Sequence, residues 1–399
     1  MTTSLSIPKG YLLAGVHCRI KHDPQKPDLA LIMSEEPATA AGVYTQNRIG
    51  AAPVTLDRER TPGDRMRAVV INSGNANACT GDRGMADARR MAELAAMVCQ
   101  AEPEQVLVLS TGIIGEFLPM DRIEQGITAA AVKLGSSPAC LRSAARAMLT
   151  TDRHEKLAGR QVTIGGKPVQ ITGLAKGAGM IGPNMATMLC VVLTDAALRP
   201  HTAQQLLQAA ADETFNCISV EGHTSTNDSL LLLANGAAAD QPPAGADLEA
   251  FSTALKEVCE ELARAIAADG EGAQHLVTID VTGCRTRADA VAIARTVANS
   301  PLVKTAIAGG DPNWGRIVSA AGYAGVAFDP GGLSLKLNGA LLYEAGTPVA
   351  FDAPAVSRSI RSERDTHIEL SLRDGAAATR FWTCDLTAEY VRINADYHT

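Results

Sequence analysis

Short apolar runs alternate with segments of helical period along most of the chain. Arg67–Ile71 (RAVVI), Gln105–Ser110, Met188–Leu193, Leu230–Leu233 and Leu276–Val281 predict buried strands, being compact and rich in β-branched or leucine side chains. Met85–Cys99, a segment from about Asp121, Thr202–Glu213 and the long amphipathic Leu248–Ala268 predict helices. Gln161–Ile171 reads as a hairpin, with Gly165-Gly166 as its turn. Strands that are apolar on both sides need cover on both faces. The alternation therefore predicts an α/β fold, a layered sandwich of buried sheets covered by helices, with α+β as the variant. A length of 399 residues suits two or three domains or one body with two lobes. Ala237–Ala246 (AAADQPPAGA) reads as a surface loop rather than a domain break.

Composition narrows the function. A net charge of −7 and only 4% aromatic residues exclude a nucleic-acid binder, which needs a basic face and stacking platforms. The nine cysteines are scattered without a CxxC pair. They read as reduced, mostly buried thiols of a cytoplasmic protein. No Cys/His cluster has the spacing of a zinc site, so no metal is expected; Cys18 and His22 alone are too few ligands. The N-terminus lacks the apolar core of a secretory signal. The uncharged stretch Gly177–Thr194 holds three glycines, a proline and an asparagine and makes a poor membrane helix.

Four polar, Gly-rich segments each follow a strand-like run: 72–81 (NSGNANACTG), 111–115 (TGIIG), 176–187 (KGAGMIGPNMAT) and 309–316 (GGDPNWGR). Polar loops at strand ends are where rigid scaffolds carry chemistry. Gly177, Gly179 and Gly182 match G-x-G-x-x-G, but Pro183 follows at once and strand-like sequence occupies the place of the required helix. The dinucleotide reading therefore fails. Thr187 stands where this loop ends and a buried strand begins. A threonine hydroxyl needs an adjacent base, and no Ser-His-Asp set declares itself. Cleavage just before a threonine supplies one, because the new α-amine titrates near neutrality, at about 7.7–8.0.

The segment 176–189 (KGAGMIGPNMATML) resembles the signature of the ornithine acetyltransferase (ArgJ) family, glutamate N-acetyltransferases. Further matching blocks are 71–81, 109–119, 149–152, 224–228 (TSTND), 269–273 (DGEGA), 302–317 and 390–399 (YVRINADYHT), which span the chain in order. The resemblance implies an ArgJ-like (DmpA/ArgJ-like) fold with two lobes. It also implies self-cleavage between Ala186 and Thr187. The products are an α chain of residues 1–186, carrying the oxyanion hole, and a β chain of residues 187–399, assembled as an α2β2 heterotetramer. Thr187 then takes acetyl from N-acetylornithine and passes it to glutamate by a ping-pong route. No cofactor is implied, although some members accept acetyl-CoA as a second acetyl donor.

The same resemblance assigns Thr111 and Gly112 to the oxyanion hole. It assigns Thr150, Lys176, Thr187, Glu271, Asn394 and Thr399 to substrate binding. Lys176 and Glu271 give the cation and anion that amino-acid substrates call for. His223 departs from the family pattern, standing where an acid is usual. The rivals are an N-terminal-nucleophile amidase or aminopeptidase, which hands the acyl group to water, and a non-catalytic relative that is never cleaved.

Overall fold

In the computed structural model, which describes residues 2–3, 5–182 and 188–396, the apolar runs become strands buried on both faces. A nine-stranded mixed sheet follows the order Thr2–Thr3, Lys156–Ile164, Lys167–Lys176, Leu189–Ala196, Ser229–Ala239, Leu29–Tyr44, Gly63–Asn75, Val106–Ile113; Tyr11–Val16 pairs with Leu29–Tyr44. The 29–44 strand joins its two halves. Residues 29–33 pair with 68–72, and residues 39–44 pair with 229–234. Between them lies Pro37, which has no N–H for the ladder, and the register shifts there.

The sheet folds over on itself at this interruption. The ends of Val106–Ile113 and Lys167–Lys176 are five strand spacings apart along the ladder. In a flat sheet that is about 24 Å. Yet Lys176 Nζ donates to Thr111 Oγ1 at 3.4 Å. Alternation along the strands shows the layers. Val69, Ile71, Leu107 and Leu109 share one core with Leu189, Val191, Leu193, Leu231 and Leu233. The intervening Ala68, Val70, Val106 and Val108 face the helices Gly81–Cys99 and Met120–Ala131. Cys190, Val192, Leu230 and Leu232 face Pro200–Glu213 and Ala246–Ala268. The order is helix, sheet, sheet, helix, as the sequence predicts.

A second, six-stranded sheet is built from Thr347–Pro348, Ala340–Glu344, Ser334–Leu337, Asp365–Ser371, Leu276–Cys284 and Ala377–Cys384, in that order. Ile279, Val281, Ile368, Leu370 and Phe381 pack with helix Arg287–Ala298 into the core around Ala246–Ala268. Both sheets contribute to that one core. A division at 186/187, however, falls inside the first sheet, because Leu189–Ala196 pairs with Lys167–Lys176 on one side and Ser229–Ala239 on the other.

The predicted elements are present with longer bounds, since ladders run past the apolar residues that announce them. Both turn glycines, Gly165 (φ +57°) and Gly166 (φ +79°), adopt the left-handed region that a two-residue hairpin demands. The loop expected from residue 237 begins after Ala239. All nine cysteines are unbridged, and only Cys79 is exposed. Among the described residues no helix is long and apolar enough to cross a membrane.

Candidate active site

Strand ends converge on one cavity of about 90 Å3. Its lining includes Thr111, Gly112, Thr150, Lys176, Glu271 and Asn394, every expected site residue that the structure describes, together with Ala76, Gly179, Ser225 and Asn227. They arrive from separate elements. Thr111 and Gly112 lie near the end of the 106–113 strand, and Lys176 ends the 167–176 strand. Thr150 follows helix Pro138–Met148, Glu271 follows helix Ala246–Ala268, and Asn394 is on the C-terminal helix Ala388–Asp396. Ala186, Thr187 and Thr399 lie outside the described residues.

Gly112 is required by close approach. Its strand pairs in parallel with Gly63–Asn75 so that Ser73 faces Thr111 and Gly74 faces Gly112. Gly112 has φ +135°, and a Cβ there would stand 2.2 Å from the Gly74 carbonyl carbon. Asn227 ties this end together, its Nδ2 donating to Ala76 O at 2.6 Å and to Ser110 O at 2.9 Å. The residue after Thr187 is also fixed. Met188 N–H donates to Asp228 Oδ1 at 2.8 Å, and Met188 O accepts from Ser229 N–H at 3.1 Å. Burial pushes the Asp228 carboxyl well up.

A buried ionic network underlies the cavity. Lys156 Nζ bridges Asp152 Oδ1 and Asp269 Oδ2, both at 2.7 Å. Asp152 also accepts Gly177 N–H at 2.6 Å and Thr150 N–H at 3.1 Å, and lies 3.9 Å from Lys176 Nζ. Burial opposes ionisation of Asp152, but Lys176 and Lys156 outweigh it and hold the carboxyl well below the usual carboxylate range. Burial lowers Lys176 from its ordinary value, against the pull of Asp152 and Glu271. Glu271 is anchored by its own N–H, which donates to Ala178 O at 2.9 Å, and by Asn394 Nδ2, which donates to Oε2 at 2.8 Å.

The arrangement suits acyl chemistry on a small amino acid. A glycine backbone and a hydroxyl sit at a strand end, a cation stands 3.4 Å from that hydroxyl, and a carboxylate lies across the cavity. Asp152, Asp228 and Asp269 lie inside the family-like blocks, where an acid among Gly and Thr residues is their signal in the sequence; Asp152 follows a helix, Asp228 precedes a strand and Asp269 caps a helix. His223 is exposed on its loop.

The model of the ArgJ family matches residues 12–399. A Rhodopirellula baltica protein named "Arginine biosynthesis bifunctional protein ArgJ" is 47% identical over 401 residues, covering 100% of this chain and 98% of its own length. A Symbiobacterium thermophilum protein of the same name is 48% identical, covering 99% of this chain and 98% of its own. Among solved structures, arginine biosynthesis bifunctional protein ArgJ from Bacillus halodurans is 36% identical with a TM-score of 0.50, covering 52% of this chain and 98% of its own.

Proposed function

The chain belongs to the ArgJ family, and from that premise we propose that it is an acetyltransferase of arginine biosynthesis that moves acetyl from N-acetylornithine to glutamate. The observation that carries the reading is the convergence of Thr111, Gly112, Thr150, Lys176, Glu271 and Asn394, distant in sequence, on one small cavity next to the strand that follows Thr187.

The chain first cuts itself. Thr187 Oγ attacks the Ala186 carbonyl carbon, the acyl group shifts from nitrogen to oxygen, and water hydrolyses the ester. The freed α-amine of Thr187 then serves as base. Thr187 Oγ next attacks the acetamide carbon of N-acetylornithine. The Gly112 N–H and Thr111 hydroxyl hold the developing oxyanion. The C–N bond breaks, the departing nitrogen takes a proton, and ornithine leaves an acetyl ester on Thr187. The glutamate amine attacks that ester, giving N-acetylglutamate and regenerating Thr187. Lys176 and Glu271 orient the charged ends of both substrates. Acetyl-CoA is the proposed second donor, in keeping with the word "bifunctional" in the relatives' names, and the cut chains assemble as α2β2.

Denaturing mass measurement tests the cleavage. Two chains fitting residues 1–186 and 187–399 support it, and Thr187→Ala should give one uncut, inactive chain. Activity in that variant would refute the reading. A hydrolase would release acetate without glutamate; a transferase requires it.

A further inference from the structure

Glu221 lies in the loop that also carries Ser225 and Asn227 of the cavity wall. Both of its carboxyl oxygens are buried, and among the described residues no side chain bonds either of them; only the backbone amides of Ile181 and His223 face the carboxyl, and they offset its burial in part. An uncompensated carboxylate in such a place is costly, so the group stays protonated or finds a cation. Its backbone is held against the nucleophile loop, where Glu221 N–H donates to Ile181 O at 3.3 Å. The charged neighbour in the site is Glu271, which lines the cavity. Lys304, Cys384 and Tyr390 also act on Glu221 among the described residues. Lys304 is engaged elsewhere, donating to Thr383 Oγ1 at 3.0 Å and to Cys384 O, and forms no ion pair with a carboxylate among the described residues.

Resting on the proposed reaction, we infer that Glu221 is a proton-holding positioning residue behind Glu271 that lets one cavity accept a cationic side chain and then an anionic one. The ping-pong route demands this. The donor brings an ammonium at the end of its side chain and the acceptor brings a carboxylate, in turn, to the same place. With the cationic end beside Glu271, Glu221 releases its proton and the pair of carboxylates balances the ammonium. With the anionic end there, Glu221 keeps its proton and the added negative charge meets a neutral group. The proton exchanges with solvent, so charge balances in each half.

Burial, reinforced by Glu271, raises the Glu221 carboxyl to about 8. Burial also holds the Tyr390 hydroxyl up at about 12 and raises the Cys384 thiol, so neither changes charge near pH 8. At pH 8 the empty site is therefore about half protonated at Glu221, and the two ligands drive it in opposite directions by up to about half a proton each.

Titration calorimetry of the whole protein at pH 8, in buffers of different ionisation enthalpy, reads this as the difference between wild type and Glu221→Gln, in which the contribution of the Thr187 α-amine, about 7.7–8.0 when free, cancels. In that difference ornithine should release protons and glutamate should take them up. Glu221→Asp, which keeps a titratable group, should retain the wild-type pattern. A difference of one sign for both amino acids, or no difference between wild type and Glu221→Gln, would overturn the inference while leaving the acetyltransferase reading intact. Failure of either amino acid to bind the wild type would overturn both.

Discussion

Removing the Lys156 ammonium probes the network beneath the cavity. Lys156 is buried and holds Asp152 and Asp269 at 2.7 Å each. Breaking a buried pair by removing one partner costs about 3–5 kcal/mol, because a charge is left without compensation. In Lys156→Gln, Asp152 keeps the Gly177 and Thr150 amides and a distant Lys176. The lower end, about 3 kcal/mol, therefore applies. At roughly 2.1 cal/mol/K per residue, a cooperative unit of this length has an unfolding entropy near 0.84 kcal/mol/K, and Tm should fall by about 4 °C. The pH dependence is the sharper test. In the wild type the Asp152 carboxyl is depressed, so its stabilisation is present above the unfolded value of about 3.9 and is lost as pH falls below it. Without Lys156 one of the cations that depresses it is gone while burial still raises it, so that stabilisation shrinks. The deficit of the variant should thus stay near its full size from neutral pH down to about pH 4 and narrow only below that. Thermal unfolding followed by circular dichroism at about pH 3, 4 and 7.5 measures this. A deficit that does not vary with pH, or one under about 1 kcal/mol at neutrality, would refute the reasoning.

Two glycines should respond differently. Gly112→Ala drives a Cβ to 2.2 Å from the backbone of Gly74 at a left-handed φ, displacing the proposed oxyanion donor; kcat should drop by about 10²–10³-fold, as for loss of one such donor. Gly179→Ala instead meets the Glu271 carboxyl carbon at 2.4 Å, the end of a side chain that swings away. Its Tm should stay within 1–2 °C of wild type by the usual entropy scaling, while KM for the donor rises about tenfold, a loss of about 1.4 kcal/mol of binding. Steady-state kinetics with both substrates separates the two effects, and equal kcat losses in the two variants would argue against the roles assigned.

The alternation of apolar runs was legible because strands buried on both faces have few ways to be encoded. RAVVI at 67–71 and MLCVVL at 188–193 each lie within or overlap a central strand of the first sheet. The 29–44 strand escaped notice because Ser34, Glu35, Glu36 and Pro37 interrupt its pattern at the place where the sheet folds over. The six described residues expected from the family blocks line one cavity. Asp152, Lys156 and Asp269 were not assigned, since an acid's partner is set by which loops meet and not by its neighbours in the chain. Glu221 is the extreme case. Its sequence setting reads as a polar loop, and only burial beside Glu271 gives it a function.

The local choices were thus determined by sequence alone: which segments are strands or helices, where a hairpin turns on glycine, and which family the chain joins. Tertiary structure decided the rest. Contacts between strand ends and loops, such as Lys176 with Thr111, or Asn227 with Ala76 and Ser110, exist because one sheet doubles over. Charge states follow from the same event, because desolvation and opposing charge act over a few ångströms of space, whatever the distance along the chain.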